Sequence, residues 1–225
     1  MSRKPRLVVP EWPVHIVQRG NDRMACFRGE GDYLVYLALL RQISKRTSCE
    51  VHAYCLMSNH IHLLVTPQSA NACSKLMKEL AQRYSYYFNR KHERTGPLWE
   101  GRFRSCVIES SRYAVACYRY IELNPVRAGI VNHPAGYAWS SYAANSGSRR
   151  DPMVSPHAEL SAIGADAYVR LVADAVDQEV LREIRDATNG GYPLGGSATR
   201  GKAGRPRKER KSVSDTDLFS GGGVS

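Results

Sequence analysis

Ala53-Tyr54-Cys55-Leu56-Met57-Ser58-Asn59-His60-Ile61-His62-Leu63-Leu64-Val65 sets two apolar arms of strand length around the polar pair Ser58-Asn59, a pattern that reads as a β-hairpin closed by Pro67. Strand side chains alternate faces, so His60 and His62 share one face while Ile61 and Leu63 point into the core. Two imidazoles on one face of a rigid element can hold a single metal ion, with positions left for another side chain, water or a phosphate. The plainer alternative is the polar face of a half-solvated strand, which periodicity alone does not separate from a site.

Working outward, Val14-His15-Ile16-Val17-Gln18-Arg19 alternates like a strand and stops at the turn sequence Gly20-Asn21-Asp22. Over 32–47 the apolar residues Leu34, Leu37, Ala38, Leu40 and Ile43 recur at helical spacing, with cations suited to the C-terminal dipole at Arg41, Lys45 and Arg46. A second helix is predicted over 72–91, packed through Leu76, Leu80, Tyr84, Tyr87 and Phe88. Glu93-Arg94-Thr95-Gly96-Pro97 ends it. Residues 98–108 then read as a strand or extended arm. Its Trp99, Arg102, Phe103 and Arg104 suit a phosphate backbone and an unstacked base, or else a solvated face with one buried tryptophan.

A third helix over 111–123 stops at Asn124-Pro125, because the residue before proline is driven out of the helical region. The order strand, helix, strand, strand, helix, strand predicts an α+β ferredoxin-like sandwich, an antiparallel sheet with helices on one face, followed by an extra helix. Composition divides the chain into a main domain over 1–143, a linker with a small helical extension over 144–190, and a disordered basic tail over 191–225.

The net charge of +11 and pI near 9.5 point to a polyanionic partner, most simply nucleic acid. No amphipathic or lipidated segment suits a membrane surface, and no apolar run suits a leader or a span. The six cysteines form no Cys-x-x-Cys pair and read as reduced residues of a cytoplasmic protein.

On the third helix Tyr113, Cys117, Tyr120 and Asn124 fall on one stripe, and Ala114, Tyr118 and Ile121 on another. Tyr118 therefore travels with the core. Tyr120 shares its face with Asn124 one turn on, where a hydroxyl could attack a bound group and an amide oxygen could meet a metal. A tyrosine hydroxyl, with an ordinary pKa of about 10, is a poor nucleophile near neutrality, and a divalent ion at the scissile phosphate would help it. The bland readings are a half-buried aromatic for Tyr120 and an Asn-Pro helix stop for Asn124.

Taken in order, His15 with Arg19-Gly20-Asn21, the 53–64 stretch, Gly101-Arg102-Phe103, Tyr120-Ile121-Glu122-Leu123-Asn124-Pro125-Val126-Arg127-Ala128-Gly129 and Trp139-Ser140-Ser141-Tyr142 resemble the REP-associated tyrosine transposases. That insertion-sequence-type family lies in the HUH single-strand nuclease superfamily. The resemblance spans about 10–142, with Ser58 where the family more often has proline. It implies the ferredoxin-like fold, His60 and His62 as ligands of a catalytic Mg2+ or Mn2+, and Tyr120 as the nucleophile forming a 5′-phosphotyrosine. Asn124 would be a third ligand. By ligand softness two imidazoles favour Mn2+ over Mg2+.

The implied partner is single-stranded or hairpin DNA, bound by a monomer or homodimer. Arg19, Arg23, Arg102, Arg104 and Arg127 are candidates to hold its phosphates. In the tail, Gly204-Arg205-Pro206-Arg207 resembles an AT-hook, with Arg205 and Arg207 placed for the minor groove. Two readings compete with strand cleavage. One is a non-catalytic or domesticated protein that binds repeat hairpins, and the other is a zinc hydrolase using His60 and His62 without a tyrosine.

Overall fold

A computed structural model describes residues 6–174 and 177–195. Strand β1 (Val14–Arg19), helix α1 (Glu30–Arg46), strands β2 (Cys49–Met57) and β3 (His60–Pro67), helix α2 (Ala72–Lys91) and strand β4 (Arg104–Val107) follow one another. The strands form one antiparallel sheet in the order β2-β3-β1-β4, the ferredoxin-like arrangement. β2 and β3 meet across the two-residue Ser58-Asn59 turn, with Met57 opposite His60 and Cys55 opposite His62. A register shift between Val51 and Ala53 marks a bulge, and His52 beside it bonds Ser155 and Thr66.

One face of the sheet presents Ile16, Leu56, Ile61, Leu63 and Val65 to Tyr36, Leu40 and Ile43 of α1 and Leu76, Leu80, Tyr84 and Phe88 of α2. Each such side chain removed from water contributes about 1.5–3 kcal/mol of gross burial. Asp32, in the first turn of α1, ties this layer to the C-terminal end of α2 through Lys91 and His92.

The other face is also covered. After β4 come α3 (Ser111–Glu122), α4 (Asn124–Arg127), α5 (Tyr142–Asn145), α6 (Ala158–Ile163), α7 (Ala165–Ala173) and α8 (Gln178–Gly190). Cys117, Tyr118 and Ile121 of α3, Tyr168 of α7, and Val180, Leu181 and Ile184 of α8 join Ala53, Cys55, Leu64 and Cys106 of the sheet in a second core. The sheet thus lies between two helical layers. Asp177 caps α8 at its start, and Gly191 ends it in a left-handed conformation at φ 70°. Beyond it Leu194 bonds Val107 and Glu109 along β4, so packing continues to the last described residues.

Two predicted elements differ. The 98–108 strand shrinks to β4, because Gly101 takes φ 67° and breaks the extended run. Leu98 and Trp99 instead pair with Asn21 and Gly20 beyond the end of β1. The third helix ends where predicted, but the chain does not stay out of the helical region at Asn124-Pro125. α3 stops at Glu122 and α4 begins anew at Asn124 with Pro125 in its first turn, where a missing N–H is tolerated. Among the described residues no helix is long and apolar enough to cross a membrane. The AT-hook-like segment with Arg205 and Arg207 lies outside the described residues.

Candidate active site

The alternation of β3 puts His60 and His62 on the face that α3 covers, and the β1–β3 register brings His15 beside His62. His62 is 4% exposed and His15 0%, while His60 at the mouth of the strand is half-buried, so the face is closed except at its His60 end. Buried imidazoles need partners, and each has them. His60 Nδ1 lies 2.7 Å from Asn59 Oδ1. The Asn59 amide nitrogen donates to the Arg23 carbonyl at 3.2 Å, which orients its oxygen toward His60 as an acceptor. His60 therefore carries its proton on Nδ1 and leaves Nε2 bare. His62 uses Nδ1 as well, 3.1 Å from His15 Nε2, so its Nε2 also faces away from that contact.

Burial pushes the His15 imidazole down to about 3 and His60 to about 4, where the Arg19 charge adds to the effect. Burial takes His62 well below its ordinary value, with His15, His60, Arg127 and Arg19 adding to it. All three are uncharged near neutrality, the state a metal requires. The His60 and His62 rings are 5.0 Å apart at 78°. Their Nε2 atoms, with both Nδ1 atoms held by neighbours, fit a divalent cation in donor chemistry. Among the described residues no group of three or more His, Cys, Asp or Glu side chains is gathered to hold a metal. Any ion here would complete its shell from an amide, the phenol, substrate or water.

Helix α3 delivers Tyr120 to the same place. Its ring stands edge-on to His62 at 5.6 Å and to His15 at 5.5 Å, and the residue is 7% exposed. Tyr118 goes to the core, with its hydroxyl bonded to the His157 N–H at 3.0 Å. Asn124 donates its amide nitrogen to the carbonyls of Tyr120 and Ile121, capping α3, which leaves its oxygen as the atom open to a ligand.

Arg127 lies against the tyrosine, its guanidinium 4.7 Å from the Tyr120 ring centre and Nη2 donating to the Tyr120 carbonyl at 2.5 Å. Arg19 is exposed next to His60 on the neighbouring strand, and Arg23 is exposed in the following turn. Arg102 and Arg104 line a groove of about 630 Å3 with Arg6, Ser105 and Asn189, and Arg104 bonds Asn189 at 2.6 Å. The arginines thus fall into one set around the histidines and tyrosine and another along β4. Sequence reasoning missed the contribution of His15 to this site, although its place on the His60 face follows once the β1–β3 register is known.

A family model described as IS200-like transposase matches residues 8–124. Among solved structures, the chain is similar to a REP-associated tyrosine transposase bound to a REP hairpin. It is 16% identical, over 70% of this chain and 92% of that one, with a TM-score of 0.54, a likeness of fold. A putative transposase from Deinococcus radiodurans is 22% identical over 50% of this chain and 91% of that one, with a TM-score of 0.38. No curated protein matches.

Proposed function

Because the chain belongs to the IS200-like transposase family, we propose that it cleaves and rejoins single-stranded DNA at hairpin-forming repeats, using Tyr120 as nucleophile and His60 and His62 as ligands of Mg2+ or Mn2+. The observation that carries this reading is the meeting of Tyr120 with His62 at 5.6 Å, from a strand and a helix far apart in sequence. In cleavage the Tyr120 hydroxyl oxygen bonds to phosphorus while the bond from phosphorus to the 3′ oxygen breaks. The phenolic proton leaves to solvent and the departing 3′ oxygen takes one up, giving a 5′-phosphotyrosine and a free 3′-OH. Rejoining runs the same exchange backwards with a 3′-OH from another strand end.

A divalent cation, when bound, supplies positive charge to the phosphate oxygens as negative charge builds there. The rest falls to the chain. Packing of α3 on the sheet fixes the tyrosine ring beside His62, which supports its reading as the attacking group, and Arg127 places a positive charge over that ring. Arg19, Arg23, Arg102 and Arg104 grip the backbone of the strand and of the hairpin stem.

The test is incubation with Mn2+ and labelled single-stranded DNA that carries a hairpin repeat from beside the gene, followed by a denaturing gel. A covalent adduct that is lost in Tyr120→Phe and in His60→Ala is the expected result. Cleavage that persists in Tyr120→Phe would instead favour hydrolysis, and tight hairpin binding without any cleavage would favour a binding protein.

A further inference from the structure

Helix α8 lies beyond the residues that match the family model, yet it touches the candidate site. Thr188, in its last turn, is 3% exposed and places its hydroxyl 2.8 Å from His15 Nδ1. The same hydroxyl lies 2.7 Å from the Ile184 carbonyl one turn back, an acceptor that takes its proton. With that proton directed to Ile184, Thr188 has two lone pairs to offer. His15 Nδ1 and the Cys106 thiol, 3.2 Å away, fill them as donors. His15 thus holds its proton on Nδ1, and its Nε2 accepts from His62 Nδ1 at 3.1 Å. The two rings lie within 5° of parallel with centres 5.3 Å apart, too far for face contact and suited to an in-plane N–H···N bond.

We propose that His15 and Thr188 are positioning residues that hold His62 as the Nδ1-protonated tautomer, keeping its Nε2 lone pair free for a cation. α8 thereby becomes part of the catalytic unit. This rests on the reading above that His60 and His62 hold a metal ion. The polarity of the chain is what matters. Were Thr188 to turn its proton toward His15, every bond would reverse and the His62 proton would sit on Nε2, where it blocks a ligand. Asn59 does the same service for His60 from the hairpin turn, so each histidine has its own anchor, one local and one from far along the chain.

Long-range 15N–1H correlation spectra of the metal-free, histidine-labelled full chain read the tautomer directly. The expected result is protonated Nδ1 and bare Nε2 for His62 in the wild type. In Thr188→Val the Nε2-protonated form should gain population, and Mn2+ affinity measured by titration calorimetry should fall about 10–100-fold. Thr188→Ser, which keeps the hydroxyl, should restore both. Protonated Nε2 in the wild type would overturn the proposal, as would unchanged Mn2+ affinity in a folded Thr188→Val protein. If His62→Ala leaves Mn2+ binding untouched, the metal reading fails instead, and the tautomer spectrum tells the two failures apart.

Discussion

Protonating Asp32 should loosen the layer that supports the sheet from behind. Its carboxylate is fully buried and accepts from the Arg28 N–H at 2.8 Å, Lys91 at 2.8 Å, His92 at 2.9 Å and the Tyr87 hydroxyl at 3.2 Å. Burial alone would raise its pKa, but the hydrogen bonds from Lys91, Arg28 and His92 outweigh it and hold the group at about 2 instead of 3.8. At about 1.4 kcal/mol per pH unit this difference contributes about 2.5 kcal/mol at neutral pH, which screening at the 41%-exposed Lys91 trims to about 2 kcal/mol. A depressed carboxyl pKa stabilises the fold above the unfolded value. The contribution is therefore whole above pH 3.8 and is lost as the pH falls through about 2. Urea unfolding followed by circular dichroism from pH 7 to 2 should show a loss in the wild type that is about 2 kcal/mol steeper than in Asp32→Asn. Equal slopes for the two proteins would refute the reasoning, because the carboxylate would then gain nothing from its four donors.

Gly20 sits where an added Cβ would come within 2.3 Å of the Met24 carbonyl oxygen, so Gly20→Ala should destabilise the protein by about 1–3 kcal/mol in denaturant melts. Asn59→Ala removes the anchor of His60, and Mn2+ affinity should fall about 10–100-fold while the melting temperature holds, as paired calorimetry and melting curves would show. The two tyrosines of α3 should part company. Tyr118→Phe loses one buried hydrogen bond, about 1 kcal/mol, and keeps adduct formation, whereas Tyr120→Phe keeps stability and loses the adduct. If both variants cleave DNA equally, the assignment of the helix stripes is wrong.

The elements that stand out in the sequence are those whose side chains sort cleanly by period. β1 and α2 end at the predicted residues because alternation and helical spacing stop there abruptly, at Gly20 and near Glu93. The stretch after Pro97 misleads because Leu98, Trp99 and Phe103 are as apolar as strand residues. They are buried as a loop instead, Trp99 bridging Gly20 while Gly101 turns the chain. His60, His62 and Tyr120 were legible as candidates, being same-face or same-stripe residues within single elements. His15 and Thr188 were not, since 173 positions separate them and their contact depends on strand register and on the docking of α8. Composition placed Thr188 in the last residues of a small helical extension and marked no site there, but the residue ends an amphipathic helix whose Leu181, Ile184 and Ala187 are buried. Arg127 read as a candidate phosphate contact, and the structure sets it over the tyrosine ring, a place fixed by the helical restart of α4 directly after the predicted stop, which the sequence did not announce.

The most direct test is to digest the protein–DNA adduct formed with Mn2+ and locate the nucleotide by tandem mass spectrometry. A nucleotide joined through its 5′-phosphate to Tyr120 is the predicted result. A nucleotide on Tyr113, Tyr118 or any other residue would contradict the assignment, as would cleaved DNA ends with no nucleotide on the protein.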